Sequence, residues 1–296
     1  MTVLDYVQFV LAPQVLNGLT LGIAVIIVAL GLTIIFGLLD VINMSHGEFY
    51  AIGAYAALAL GVAQVSFWVL IVLVPLLMLP IGILIERTLI RRVFDSGDRH
   101  VTTLLVTFGL GLIIEDILKA LYGPNTFRPP TPIAGATEFF GIILPNYRLF
   151  LILFGSLVIC AVAFVVYRTR LGAMVRAAAF DRNMAASLGV PVSLVYAGTF
   201  AFGVSLAGLA GVLLAPIYSV FPTMGRDFIL LAFTVVIVGG MGSVWGAVVA
   251  GLMLTQVQAL ASLVISPVWT DPIVFGTMVA VLVVRPQGIS GRLGHA

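Results

Sequence analysis

Charged residues are scarce in this chain, and their scarcity excludes most soluble folds. Only 9% of the 296 residues are charged, against 61% that are hydrophobic, and the mean hydropathy is +1.22. A typical soluble domain has about a quarter charged residues. A water-soluble fold of this size cannot bury so much apolar side chain, so the sequence predicts a protein that lies in a lipid bilayer.

Cysteine and lysine are almost absent. The single cysteine, Cys160, excludes an internal disulfide and a cysteine metal cluster, and its place in an apolar run predicts a buried, inert thiol. The single lysine, Lys119, lies outside any phosphate-binding G-x-x-x-x-G-K-[ST] pattern, so ATP hydrolysis would require another chain. No H-E-x-x-H zinc motif, basic tail or basic-aromatic patch occurs. We therefore expect no cofactor or metal in this chain and no nucleic-acid partner.

Apolar runs of about 20 residues predict membrane-spanning helices. The N-terminus lacks the basic region of a cleaved signal peptide, so the first run is expected to be retained. The spans are predicted at 15–37, 47–63, 67–86, 101–121, 149–167, 191–215 and 272–285, with a longer apolar stretch at 228–265. The sequence thus predicts an all-α polytopic membrane protein of about eight transmembrane helices, in a single transmembrane domain over residues 1–296.

Arginine is unevenly distributed between the breaks. It is concentrated in the segments 87–100 and 168–190 and in the C-terminal tail, and it is sparse in the proline-rich segment 122–148. Because cytoplasmic loops carry an excess of Lys and Arg, the first three are predicted to be cytoplasmic and 122–148 to be extracytoplasmic. The C-terminus is therefore expected on the cytoplasmic side.

The stretch 228–265 is interrupted by glycines. The number of spans before and after this stretch requires both of its ends to lie at the outer face of the membrane. The stretch is nevertheless too short for two full-length membrane-spanning helices. We expect a re-entrant or broken helix pair that hinges at a glycine-rich segment, which is tolerated at membrane depth only where protein or a cavity covers it. The alternative is one full-length helix that uses its glycines for close packing. The hinge residues are Gly239, Gly240, Gly242 and Ser243.

Polar residues follow the first span in the sequence INMSHGEF. Gly37 is expected to end the first helix, and span counting places residues 38–46 on the cytoplasmic side if the N-terminus is outside. If the first segment is itself broken, the same residues would lie deeper in the bilayer. Ser45 and Glu48 have the spacing of a capping box at the start of the next helix. Asn43 and His46 are left unexplained by helix architecture, and an ionisable residue in a membrane indicates a functional site. A satisfied structural histidine is the alternative. Helix N-terminal amides would also favour a carboxylate-bearing solute here.

The segment 168–190 is the longest polar stretch. Its middle, 174–188, predicts a helix ended by Gly189 and Pro191. Such a helix along the inner membrane surface would expose Arg176, Asp181 and Arg182 to a soluble partner. A solvated amphipathic loop is the alternative.

Several motifs in this order resemble the permease subunits of branched-chain amino acid ABC importers, of the LivH type. The matching stretches are INMSHGEFYAIGAY, RTRLGAMVRAAAFDRNMAASLGV, AGLAGVLLAP, AFTVVIVGGMGSVWGAVVAG and LVVRPQGI, and they span nearly the whole chain. The family also contains permeases for urea and short amides, so the motifs identify the transporter class better than the cargo.

The resemblance implies a transport subunit of the bacterial inner membrane that is not itself an enzyme. The implied partners are a second related permease, two cytoplasmic ATPase subunits that bind ATP and Mg, and an extracytoplasmic solute-binding protein. The ATPase would be contacted by a cytoplasmic coupling helix within 170–190, with the candidate residues Arg176, Asp181, Arg182, Ala185 and Gly189. Candidates for the solute pathway or its gates are Asn43, Ser45, His46, Glu48, Gly239, Gly240, Gly242 and Ser243.

Other classes predict different behaviour. In an ion-coupled secondary transporter, His46 and Glu48 would relay protons and no ATPase-docking loop would be needed. In an intramembrane enzyme, Ser243 would be a nucleophile with His46 as its base, although the usual motifs are missing from the sequence. In a purely structural membrane partner, the polar residues would tolerate substitution.

Overall fold

The computed structural model describes residues 6–93, 98–139 and 142–290. Helices form most of the described chain. They are α1 Ala12–Leu39, α2 His46–Val62, α3 Phe67–Ile85, α4 Arg99–Tyr122, α5 Asn146–Arg168, α6 Arg170–Phe180, α7 Arg182–Ser187, α8 Val192–Leu214, α9 Met224–Gly239, α10 Val244–Ala261 and α11 Thr270–Val284. A π-helical turn, Val7–Leu11, precedes α1, and α3 continues through Glu86–Ile90 to Val93.

Two helices form the centre of the bundle. α10, α9 and α5 pack along α1, whereas α2 and α3 pack along α8, and α1 and α8 pack against each other. Glycines permit the close approach of backbones: a Cβ on Gly31 would lie 2.7 Å from the carbonyl oxygen of Gly203. Small residues at such contacts are typical of helix packing in membranes, where van der Waals contact replaces the hydrophobic effect.

Six helices in the described ranges are long and apolar enough to cross a membrane. They are Gln8–Leu39, Phe67–Val93, His100–Tyr122, Asn146–Arg168, Val192–Leu214 and Val244–Ala261. The prediction of an all-α polytopic membrane protein is confirmed at this level. The shorter helices α2, α9 and α11 have 17, 16 and 15 residues, so the count of eight transmembrane helices stays a prediction.

The two ends of the bundle differ in their connections. At one end, the hairpin end, β1 Ala136–Phe139 pairs antiparallel with β2 Ile142–Pro145, and Phe127 forms an isolated bridge with Val220. The sequence did not predict these strands within 122–148. At the other end, the loop end, α6 and α7 pack against α1, α5 and α8.

The chain breaks between α9 and α10 as the glycines predicted, so one uninterrupted helix over 228–265 is wrong. Gly240 and Gly242 have φ values of 94° and 84°, a region that favours glycine. A Cβ on Gly37 would lie 2.9 Å from Gly242, which places the break at the loop end of α1. From there α10 runs back along α1, and Gln256 Nε2 donates to the carbonyl oxygen of Val15 at 3.0 Å. α10 is by itself one of the six span-length helices, whereas α9 has 16 residues and is not among them.

Two local predictions are wrong. Helix α1 does not end at Gly37 but continues to Leu39, and Asp40 takes the left-handed conformation with φ 52°. Gly37 is instead needed for the contact with Gly242. Cys160 is exposed on the outer side of α5 rather than buried. An apolar run in lipid has no need to bury every face, because the surrounding solvent is itself apolar.

Candidate functional site

Helix α2 begins deep in the bundle. Asp40 Oδ2 lies 3.5 Å from His100 Nε2 at the loop end, and the chain then runs beside α4, where Met44 N donates to Thr107 Oγ1 at 3.0 Å. His46 Nε2 lies 3.2 Å from the carbonyl oxygen of Val28. Val28 precedes the end of α1 by eleven residues, which is about 17 Å at the helical rise. Residues 44–46 therefore lie well inside the bundle, whereas span counting placed all of 38–46 at its cytoplasmic edge.

The capping box predicted at the start of α2 is wrong. Asn43 Oδ1 accepts hydrogen bonds from Ser45 Oγ at 2.7 Å and from Ser45 N at 3.2 Å. The Glu48 amide donates to the backbone carbonyl of Ser45 at 3.0 Å, and the Ser45 hydroxyl makes no cap hydrogen bond. Helix architecture therefore accounts for Asn43 Oδ1, but it does not account for Asn43 Nδ2, which is buried without a hydrogen-bond partner among the described residues, or for the Glu48 side chain.

His46 is fully buried. Its ring meets Phe49 edge-on, with centroids 6.3 Å apart. One ring nitrogen contacts Val28 as described, while Nδ1 has no hydrogen-bond partner among the described residues. His46 is therefore partly satisfied as a structural residue, and its predicted role in the solute pathway stays a prediction.

The first turns of α2 and α9 meet. A Cβ on Gly47 would overlap the carbonyl oxygen of Gly225, and Tyr50 stacks on Phe228 with ring centroids 4.3 Å apart. The Glu48 side chain packs against Gly225, is 5% exposed, and leaves Oε2 without a hydrogen-bond partner among the described residues. Because helix N-termini carry unsatisfied amides and partial positive charge, the carboxyl group of Glu48 lies where both helices favour an anion.

A charged cluster adjoins Glu48. Glu115 on α4 is 2% exposed; Lys119 Nζ lies 2.5 Å from its Oε1, and Arg226 on α9 forms an ion pair with its Oε2. A Cβ on Gly111 of α4 would lie 3.6 Å from Glu48, so the same helix borders both carboxylates. Sequence reasoning missed Glu115 and Arg226. An acidic residue within a span was the available signal, because such residues are expensive in lipid and mark pairs or sites.

The residues of the break between α9 and α10 allow close backbone contact and cap α10. Gly239 and Gly246 approach too closely for a Cβ on either, and Ser243 Oγ accepts from Gly246 N at 3.1 Å to cap α10. The tail covers the break, since Ile289 N donates to Val238 O at 2.8 Å and Ser290 N donates to Gly239 O at 3.1 Å.

Ser243 and His46 are not brought together. The break lies beside Gly37 and His46 lies beside Val28, nine residues along α1, or about 13 Å at the helical rise. A serine nucleophile needs its base within hydrogen-bond reach. In this structure the two residues do not form a catalytic pair.

The segment 168–190 forms two short helices rather than the single helix predicted. Thr169 Oγ1 caps α6 by accepting from Gly172 N at 3.2 Å. Asp181 caps α7, and its Oδ1 accepts from the amides of Asn183 at 2.8 Å and Met184 at 2.9 Å. The predicted turn at Gly189 is confirmed by its φ of 84°.

The candidate coupling residues differ in what they contact. Arg176 donates to the carbonyl oxygen of Val166, and the Arg182 guanidinium lies 5.6 Å from the centre of the Tyr196 ring. Ala185 is buried, and Asp181 is a cap. These residues shape the segment itself.

Three large apolar side chains are exposed at the end of α6, within α7 and just after α7, among polar residues that are exposed as well. Phe180, Met184 and Leu188 are spaced by four residues and are 85%, 60% and 79% exposed. We call these three residues the apolar ridge. Sequence reasoning chose charged residues instead. The spacing of Phe180, Met184 and Leu188 was visible in the sequence, but only the fold shows that this face lacks a neighbour within the described chain.

A polar-lined cavity of about 470 Å³ separates this segment from the break. It is bordered by Phe36 and Asp40 at the end of α1, by Ala178 and Arg182, and by Met241 in the break.

Comparisons with known proteins agree with this architecture. Residues 14–282 match the family described as branched-chain amino acid transport system / permease component. The chain is 31% identical to the high-affinity branched-chain amino acid transport system permease protein LivH of Salmonella typhimurium, covering 94% of this chain and 95% of the relative. It is 30% identical to BraD of Pseudomonas aeruginosa at the same coverage.

The similarity extends to a second type of permease. The chain is 28% identical to the permease protein LivM of Escherichia coli, covering 95% of this chain and 71% of that relative. The match to the family covers nine-tenths of the chain and the break region with it. The chain therefore belongs to the branched-chain amino acid transport system permease family.

Proposed function

We propose that this chain is a permease subunit of an ATP-driven importer and that it forms, with a second related permease, the membrane pathway for branched-chain amino acids. The supporting observations are the family match, relatives named for this transport, and six span-length apolar helices. The similarity to both LivH and LivM supports a pair of related permeases. Transport, rather than catalysis by this chain, is the proposed activity.

The single observation that supports the proposed binding of an ATPase subunit is the apolar ridge. Three large side chains stand exposed on two capped helices beside a polar cavity, and an aqueous surface disfavours such a cluster unless a partner covers it. We propose that the ridge seats in a cytoplasmic ATPase subunit, that ATP and Mg bind there, and that α6 and α7 are the coupling helices. Two such subunits would serve the permease pair.

This placement fixes the proposed topology. With α6 and α7 cytoplasmic, the loop end of the bundle faces the cytoplasm, the tail over the break is cytoplasmic, and the β1–β2 hairpin is extracytoplasmic. The hairpin end then faces the solute-binding protein. The proposed location is the bacterial inner membrane.

The proposed gate lies where α2 and α9 begin. In the single chain, Asn43, Ser45 and His46 are fully buried and Glu48 is nearly so. The break residues Gly239, Gly240, Gly242 and Ser243 lie at the other end of α9, beside the coupling helices. A movement that starts at α6 and α7 would reach α9 through the break and would separate its first turn from that of α2, next to Glu48.

The docking proposal is tested with a double variant, Phe180→Ala with Leu188→Ala, in the complete transporter. Removing two exposed apolar side chains should abolish copurification of the ATPase and lower ATP-driven leucine uptake at least tenfold, while the permease stays folded. The matched control is Leu153→Ala with Leu157→Ala on α5, two leucines that are 73% and 65% exposed but far from the ridge. Unchanged ATPase association in the ridge variant would refute the docking site.

The same assay tests the cargo and the energy source. Labelled leucine, isoleucine and valine should compete with one another for uptake, and urea or acetamide should not. Uptake should stop when ATP is withheld and should persist when a proton ionophore is added. Uptake without ATP would favour an ion-coupled transporter, and competition by urea would favour an amide permease.

A further inference from the structure

A cavity of about 320 Å³ opens in the hairpin half of the bundle. It lies between α1, α2, α9, α10 and α11 and beside the connection that follows α8. Its residues are Leu21, Tyr50, Tyr218, Ser219, Phe221, Met224, Asp227, Phe228, Leu230, Leu231, Gln258, Asp271, Val274 and Phe275. None of them was among the residues that the sequence singled out, and the proposed gate at Glu48 adjoins the cavity through Tyr50 and Met224.

The charged groups of the lining are all acidic. Asp227 lies in the first turn of α9 and Asp271 in the first turn of α11, and none of the described residues that line the cavity is basic. Gln258 Nε2 donates to Asp271 Oδ1 at 3.2 Å, which orients that carboxylate. The Gln258 carbonyl oxygen Oε1 is buried and has no hydrogen-bond partner among the described residues. The cavity therefore offers two carboxylates and an unpaired amide oxygen as acceptors, beside the neutral hydroxyl groups of Tyr50, Tyr218 and Ser219.

Aromatic rings form much of the remaining wall. Tyr50 and Phe228 are stacked, and Tyr218, Phe221 and Phe275 complete the aromatic part. Tyr50 is 2% exposed and lines the cavity. The buried carbonyl oxygen of Gln258, which has no partner among the described residues, is costly unless a ligand or water satisfies it. Carboxylates together with aromatic faces suit a ligand with an ammonium group.

The rest of the wall is aliphatic. Leu21, Leu231 and Val274 come from three different helices, so this part of the wall is a packed, apolar surface. Its volume lies at the small end of the range for small-molecule sites. A cavity with an acidic, aromatic part and an aliphatic part matches a small molecule that has an ammonium group and a branched hydrocarbon side chain.

We propose that this cavity binds the transported branched-chain amino acid within the permease itself. The ammonium group lies between Asp227 and Asp271, and the branched side chain packs on Leu21, Leu231 and Val274. The first turns of α9 and α11 border the site, and their free amides are suited to the carboxylate of the same zwitterion. This inference rests on the proposed function and adds a substrate site that discriminates solutes after the binding protein has released them.

The direct test uses the purified complete transporter without its solute-binding protein. Binding of tritiated leucine is measured by scintillation proximity for the wild type, Asp227→Asn, Asp271→Asn and the double variant. Loss of either carboxylate should weaken binding at least tenfold. The control is Asp116→Asn on α4, a carboxylate that is 78% exposed and lies outside the cavity. Equal binding by the wild type and the double variant would overturn the proposal.

A second variant tests selectivity and does not depend on charge. Phe275 is 37% exposed, so Phe275→Trp should fold and should narrow the cavity. Uptake of leucine should fall at least fivefold relative to uptake of alanine, because the larger side chain loses space first. An unchanged ratio of leucine uptake to alanine uptake would contradict the proposed site. That result is expected if the cavity holds a lipid headgroup instead of the transported amino acid.

The two proposals fail in different ways. If the wild-type transporter does not take up leucine with ATP, the proposed function is wrong. If the wild type transports leucine and the Asp227 and Asp271 variants transport it with unchanged affinity and selectivity, only the internal substrate site is wrong.

Discussion

Helices α5 and α8 are both apolar and both 23 residues long, yet they occupy opposite environments. In the most apolar window of α8, 89% of the residues are buried, whereas in that of α5 only 22% are buried, although α5 has the higher mean hydropathy. In a bilayer, therefore, high hydropathy does not predict the interior. The solvent is as apolar as the core, so a leucine gains little from moving between them.

Small residues distinguish the two helices. α8 includes Gly203, Ala207, Gly208, Ala210 and Gly211, all of them buried. α5 buries a single stripe, Tyr147, Leu151, Gly155, Ile159 and Val162, and exposes leucine and phenylalanine on its other side. α8 can approach α1, α2 and α3 at once because it presents backbone rather than large side chains on several faces.

The largest expected effect comes from adding a side chain at one of these contacts. In Gly211→Val, the new Cβ would overlap the backbone of Tyr50, and neither helix can shift without moving the other. We expect a loss of about 3 kcal/mol or more in stability, seen as a lower unfolding temperature in detergent. The matched control on the same helix is Gly198→Val, because nothing lies within 4 Å of its Cβ position. Equal stability of the two variants would contradict the central packing of α8.

A smaller effect is expected from shortening a buried leucine on α5. Leu151 is 0% exposed and Leu153 is 73% exposed. Leu151→Ala should destabilise the protein by about 2–3 kcal/mol through the cavity it leaves, whereas Leu153→Ala should change stability by less than about 0.5 kcal/mol. Thermal unfolding of both variants measures the difference. A larger loss of stability for Leu153→Ala would mean that this face of α5 packs against other parts of the same chain. It would then not be a surface that faces lipid or a partner.

The smallest effect concerns α4, another peripheral helix. It shares few contacts with the bundle, and the ion pair from Glu115 to Arg226 joins it to α9. Glu115→Gln removes a buried charge that neutralises a half-exposed arginine, so the unfolding temperature should fall by a few degrees. Asp116→Asn, an exposed neighbour, should leave it unchanged. Equal unfolding temperatures for the two variants would refute the idea that α4 is held against α9 by the ion pair rather than by packing.

The helices themselves were predictable from the sequence because hydropathy measures what lipid requires. The predicted spans 67–86, 101–121 and 149–167 each coincide with a helix within a few residues. The break at Gly240 and Gly242 was also predictable, since only glycine adopts their φ values without strain.

The site was predictable only in part. The INMSHGEF stretch was correctly identified as the start of a helix, but the Ser45–Glu48 capping box does not form, and Ser45 bonds to Asn43 instead. Local spacing cannot reveal that α9 brings Gly225 against Gly47 and against the Glu48 side chain. The apolar ridge was missed because exposure depends on what the rest of the chain leaves uncovered.

The sequence by itself determined that this protein is a bundle of membrane helices, where those helices lie along the chain, and to which family it belongs. Composition and local backbone preference set these properties, and both can be read residue by residue. Only the tertiary structure decided which helices are central, where α2 begins along α1, and which polar groups share a cavity. Those properties depend on contacts between residues far apart in sequence, such as Glu115 with Arg226 and Gln258 with Asp271, and in lipid no difference in hydropathy signals them in advance.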